Sequence, residues 1–159
     1  MTTRFSVGIY LDDLGPSEQA YYAIKRANEL QQNSPNNVDI TLFYNNMATP
    51  CIKPICAVCS SNELWAYKGM VITTNINNSI TLSKIPTRYN KVFYVYDLEW
   101  IRPVSRDFLH NVKGFDESVK VVARSSDHVF PIENYSNRKV NAVVERFDIQ
   151  LMIGMFYEK

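Results

Sequence analysis

The 159-residue sequence lacks the residues and spacings that carry the most easily recognised chemistries. Two histidines, His110 and His128, are too few to build a histidine-based metal centre. No dinucleotide or P-loop fingerprint is present: "DDLGPSE" holds one glycine, and no G-x-x-x-x-G-K-[ST] run occurs. No G-x-S-x-G elbow marks serine-based acyl transfer. With five glycines and seven prolines the chain is not a linker or a low-complexity segment. No apolar run approaches the roughly 20 residues of a membrane-spanning helix. The opening "MTTRFSVGIYLDD" lacks the long apolar stretch of a signal peptide, so a cytoplasmic protein without a membrane partner is expected. A formal charge of +1 gives no global attraction to phosphate, so a DNA partner is not favoured. It would need a local patch, which "SRDFLHNVKG" and "YSNRKVN" offer through Arg106, Lys113, Arg138 and Lys139.

Three cysteines, Cys51, Cys56 and Cys59, fall in "CIKPICAVCS". The C-x4-C-x2-C spacing matches three quarters of one iron–sulfur pattern, but a fourth ligand is missing. On a strand, Cys56 and Cys59 would point to opposite faces, so reduced structural thiols and no metal are expected.

What is there reads as alternating strands and helices. "FSVGIYLDD" alternates apolar residues and ends in two aspartates. In the following segment Ser17 or Asp13 is placed to cap a helix whose apolar face is Ala20, Ala23, Ile24, Ala27 and Leu30. "VDITLFYNN" completes a βαβ unit. The pattern continues with "PICAVCS" as a strand, "SNELWAYKG" as a short helix closed by Gly69, and "MVITTN" as a strand. "NSITLSKIP" is a brief helix stopped by Pro86, and "KVFYVYD" the strongest strand. "SRDFLHNVKG" predicts a helix capped by Ser105 and stopped by Gly114. "VKVVARS" is a strand, "SDHVFPIENYSN" a short helix or turn, and "KVNAVVERFD" a last strand, with at most a short helix after it. The expectation is one domain over residues 1–159, an α/β doubly wound, mostly parallel, Rossmann-like sheet.

In such sheets ligands bind beyond the carboxyl ends of the strands. That rule selects Asp12 and Asp13 after the first strand, with Gly15 a further binding candidate in the loop beyond them, Asn45 and Asn46 after the second, and Thr73, Thr74 and Asn75 after "MVI". It also selects Asp97, Glu99 and Trp100 after the strongest strand, Arg124 and Ser125 after "VKVVA", and Glu145 and Arg146 after "NAVV". Carboxylates, amides, an arginine and rings suit a hydroxyl-bearing or sugar-like ligand. Rings stack on sugar faces, and carboxylates accept from hydroxyls or remove their protons.

In "VGIYLDDLGPSEQAYYAIKRANEL", "VDITLFYNN", "MVITTNINNSITLSKIP", "VFYVYDLEW", "VVARSSDH" and "NAVVERFDI" the chain resembles the N-terminal, acceptor-side half of a GT-B glycosyltransferase. The resemblance is to those encoded by T4-like bacteriophages, and its most specific part is the "YDLEW" neighbourhood. It implies a nucleotide sugar, such as a UDP-sugar, as co-substrate, no resident cofactor, and the host cytoplasm as location. The acceptor it implies is a modified DNA base or a glycan. It further implies a carboxylate base: Asp13 or Asp97, with Glu99 third, and Arg124 against phosphate. In that family the donor is held mainly by the C-terminal domain, whereas here about ten residues follow "VVERFD". Catalysis is then absent, or completed by a partner chain or a further copy, or carried by a reduced fold. "DLE" is also similar to the D-x-D of the other glycosyltransferase fold, where carboxylates hold Mg²⁺ or Mn²⁺. The alternative from another class is a non-catalytic protein-interaction module.

Overall fold

The computed structural model describes residues 4–102 and 107–157. β1 (Phe5–Asp13) forms because Val7, Ile9 and Leu11 recur with the strand period of two and all three are buried. Ser17 caps α1 (Glu18–Asn33), its hydroxyl accepting from the Ala20 N–H at 3.1 Å. The buried face of α1 is Ala20, Ala23, Ile24, Ala27 and Leu30, as the helical spacing requires. β2 (Val38–Asn46) returns parallel to β1, with Val7 beside Ile40 and Ile9 beside Leu42. β3 (Ala57–Ser60), β4 (Met70–Thr73), β5 (Lys91–Val95), β6 (Val119–Ala123) and β7 (Ala142–Val143) complete a seven-stranded sheet in the order β3-β2-β1-β4-β5-β6-β7. Every pairing is parallel, so the fold is a doubly wound, Rossmann-like α/β sheet.

α1 and the last helix cover one face. The opposite face carries α2 (Ile76–Lys84), α3 (Phe108–Asn111), α4 (Ser126–Ser136) and short 3₁₀ turns; α5 (Ile149–Phe156) ends the described fold. Ile24, Leu42, Ile72, Val92, Tyr94, Phe147 and Met152 share the core under α1 and α5. Phe93, Val95, Val121 and Ile132 form the core under α4. Each such aliphatic side chain contributes about 1.5–3 kcal/mol by leaving water. Tyr157 anchors the end of the chain edge-on to Phe5, with ring centroids 4.8 Å apart.

Three segments depart from the sequence expectations. "SNELWA" is a 3₁₀ turn that ends at Tyr67, and Gly69 is not its cap. Gly69 instead lies under the Ser6 carbonyl and the Tyr67 ring, where a Cβ has no room. "SRDFLHNVKG" gives only the single turn of α3, capped by Asp107, and then a 3₁₀ turn that contains Gly114. Ser105 and Arg106 lie outside the described residues. β7 is two residues long, because the chain kinks at Arg146 rather than extending through "VVERFD". Among the described residues no helix is long and apolar enough to cross a membrane.

Candidate functional site

The strand order reverses between β1 and β4, whose successor helices α1 and α2 lie on opposite faces. The carboxyl ends of these two strands therefore open a crevice. Asp13 stands on one side of it. Its Oδ1 accepts the Gly15 N–H at 2.7 Å, and its Oδ2 has no partner among the described residues. Gly15 suits this close turn: a Cβ there would sit 2.9 Å from Asp13 Oδ1. Asp12 is tied sideways, its Oδ1 accepting from the Asn45 amide at 3.2 Å. That amide also donates to Asn78 and accepts the Tyr10 hydroxyl at 2.7 Å.

Across the crevice, the buried Thr74 hydroxyl donates to Gln19 Oε1 at 3.1 Å, and Gln19 Nε2 reaches Asp97 Oδ2 at 3.5 Å. Gln19, on the first turn of α1, thus joins the ends of β4 and β5. Sequence reasoning missed it, because its spacing marks it only as a flank of the apolar helix face. Asn75 caps α2, its Oδ1 accepting from the Asn78 N–H at 2.8 Å.

The three candidate bases stand in different surroundings. Asp97 Oδ2 is paired with Arg102 at 2.5 Å, a half-exposed contact worth about 0–1 kcal/mol. Glu99 is turned to α2, where its carboxylate accepts the Ile76 N–H at 2.7 Å. Burial outweighs that bond and raises the Glu99 carboxyl above its ordinary value of 4.5. Asp97 and Glu99 consequently face different partners. Asp13 keeps an unengaged oxygen without a cationic neighbour in bonding range. Trp100 packs on the α4 core, stacked on Tyr135 at 4.4 Å. Ser125 precedes α4 at its cap position without a side-chain cap bond.

Arg124 pairs with neither Asp127 nor Asp97. Its Nη1 donates to the Tyr96 carbonyl at 3.1 Å, and its guanidinium lies 4.9 Å over the Tyr96 ring. The Tyr96 hydroxyl donates to Glu18 at 2.7 Å. Beside Arg124, His128 Nδ1 is buried without a partner among the described residues. Burial, and then the Arg124 charge, hold that imidazole below its ordinary 6.5.

Arg124 also lines the concavity that sequence reasoning did not locate. A cleft of about 440 Å³ opens on the α1 side of the rim, walled by Glu18, Tyr22, Arg26, Tyr96, Arg124 and Arg146. A second hollow, of about 690 Å³, continues from it towards α5 and shares Arg26 and Arg146. Arg146 and Phe147 are both left-handed, at φ 57° and 51°, which costs roughly 1–2 kcal/mol per non-glycine residue. The kink is held from three directions. Arg26 Nε donates to the Arg146 carbonyl at 2.9 Å, the Phe147 N–H donates to the Tyr94 hydroxyl, and that hydroxyl donates to the Val144 carbonyl.

The remaining expectations concern metal and DNA. Cys51, Cys56 and Cys59 are free thiols, and burial pushes the Cys56 thiol up to about 11. Among the described residues no three histidine, cysteine or acidic side chains gather to hold a metal ion. Of the basic patch, Arg138 donates to the Phe115 carbonyl and Lys139 pairs with Glu133, so two of its cations already have internal partners.

Comparison with protein-family models, curated proteins and solved structures finds no match to this chain.

Proposed function

We propose that this protein is a glycosyltransferase-like protein of the GT-B lineage, with a nucleotide sugar as donor and a hydroxyl-bearing acceptor. A UDP-sugar is the first donor to try, with a modified DNA base or a glycan as acceptor. The observation that carries the reading is Asp13: a strand-end carboxylate in the switch-point crevice with one oxygen fixed by Gly15 and the other unengaged. In the proposed step Asp13 Oδ2 takes the proton of the acceptor hydroxyl while that oxygen attacks the anomeric carbon. The new C–O bond forms as the bond from that carbon to the diphosphate oxygen breaks, and the nucleoside diphosphate leaves with the electron pair. Thr74, Gln19 and Asp97 form a linked polar wall against which acceptor hydroxyls are held. Glu99, committed to α2, takes no part as a base.

The test is mass-spectrometric detection of sugar transfer from a UDP-sugar panel to hydroxymethylated DNA and to an oligosaccharide panel. Asp13→Asn is expected to slow transfer by about 10²–10⁴-fold while leaving acceptor affinity within a few-fold. Equal rates in wild type and Asp13→Asn would remove Asp13 as the base. A folded wild type inert on every pair would remove the reading.

A second reading, a non-catalytic module binding another protein, is favoured by four exposed apolar side chains. Ile101, Phe108, Leu109 and Phe130 are 66, 52, 73 and 75% exposed beyond the ends of β5 and β6. Under that reading the chain self-associates or captures a partner, and Phe130→Ser abolishes the association without changing nucleotide-sugar binding.

A further inference from the structure

The cleft on the α1 side of the rim gathers three guanidiniums from three separate elements: Arg26 of α1, Arg124 after β6 and Arg146 at the kink after β7. One carboxylate, Glu18, shares the wall, and it accepts the Tyr96 hydroxyl instead of pairing with an arginine. Arg26 is partly satisfied, by Glu29 at 2.7 Å and by the Arg146 carbonyl. Arg124 is clamped on the Tyr96 ring and carbonyl, which fixes its plane while leaving further N–H groups. The guanidinium of Arg146 has no hydrogen-bond or ion-pair partner among the described residues, although its backbone is held in a conformation that glycine adopts freely and arginine does not. Arg146 is exposed, so water solvates its guanidinium in the free protein, and the side chain stands open to an anionic ligand beside two other guanidiniums.

We infer that this cleft binds a small phosphorylated ligand carrying at least two negative charges, a diphosphate above all. Planar guanidinium forks match phosphate oxygens in pairs; with Arg26 paired to Glu29, Arg124 and Arg146 still outnumber the one carboxylate of the wall, Glu18. At about 440 Å³ the hollow is larger than a lone phosphate fills, and the Tyr22 and Tyr96 rings line the remaining space. The inference stands whether or not the chain transfers sugar. Pyrophosphate binding without transfer upholds it, and the transfer reading then fails on its own assay.

Isothermal titration of the full chain with inorganic pyrophosphate, with UDP and with uridine is the test. Pyrophosphate and UDP are expected to bind, uridine at least about tenfold more weakly, and raising the salt from 0.05 to 0.2 M is expected to weaken both phosphate compounds several-fold. Arg124→Gln is expected to weaken pyrophosphate about tenfold or more. Arg146→Gly is expected to do the same while its melting temperature is unchanged or higher, because glycine relieves the left-handed backbone. That variant separates loss of the site from loss of the fold. Lys139→Gln, an exposed cation paired with Glu133, serves as control and should leave binding within twofold. No binding by pyrophosphate or UDP, uridine binding as tightly as UDP, or an unchanged affinity in both arginine variants would each overturn the inference.

Discussion

Glu99 and Asp97 stand two residues apart beyond the same strand, yet the fold uses their charges differently. Asp97 is half exposed and paired with Arg102, whereas Glu99 is drawn inwards to the first turn of α2. Because burial raises the Glu99 carboxyl above 4.5, its contribution to stability is complete below that pH and is lost as the pH rises through the raised value. Glu99→Gln keeps an acceptor for the Ile76 N–H and removes the charge. Urea unfolding should therefore show the variant gaining on wild type as the pH is raised from 4 towards 7, and a pH-independent difference would contradict the assignment. At this scale the sequence shows which carboxylates end strands, because strand ends are legible from apolar alternation. It does not show their duties. Gln19 and Asp97 meet across 78 positions and Glu99 meets Ile76 across 23, contacts that only the closed sheet creates.

Among the elements, the apolar face of α1 and the extents of β1 and β2 follow from periodicity, since regular burial imposes a regular pattern. The failures fall where tertiary contacts override local preference. "VVERFD" opens on two β-branched residues and reads as a continuing strand, but the Tyr94 hydroxyl takes the Phe147 N–H and the Phe147 ring packs edge-on to Tyr94 at 5.0 Å. The chain turns into the core instead of pairing further. Gly69 likewise resembles a helix stop, while its actual role is to let β4 start beneath the Ser6 carbonyl. Gly69→Ala is expected to destabilise by about 1–3 kcal/mol or more, since both backbone and ring would have to move. Gly154, inside α5 with open space around it, is the opposite case, and Gly154→Ala should stabilise by about 0.5–1 kcal/mol. Thermal unfolding of the two variants checks both signs.

For the whole molecule, all seven strands are parallel, so their carboxyl ends form one rim, and the sequence makes that rim legible by ending strand after strand in polar residues. Where the rim is hollow is not legible, because concavity depends on how α1, the kink at Arg146 and α5 close over the sheet. The candidates divide accordingly. Asp13 and Thr74 flank the crevice between β1 and β4, whereas Arg124 joins Arg26 and Arg146 in the cleft beside α1. Gln19 and Glu18, adjacent on the first turn of α1, connect the two regions through Asp97 and Tyr96. A nucleotide sugar spanning both would place diphosphate on the arginines and sugar towards Asp13. The most direct measurement is an amide-resolved NMR titration of the full chain with UDP-sugars. The account predicts saturable shifts concentrated at Gly15, Gln19, Thr74, Asp97, Arg124 and Arg146. Shifts confined to the amino ends of the strands, or none at saturating donor, would contradict it.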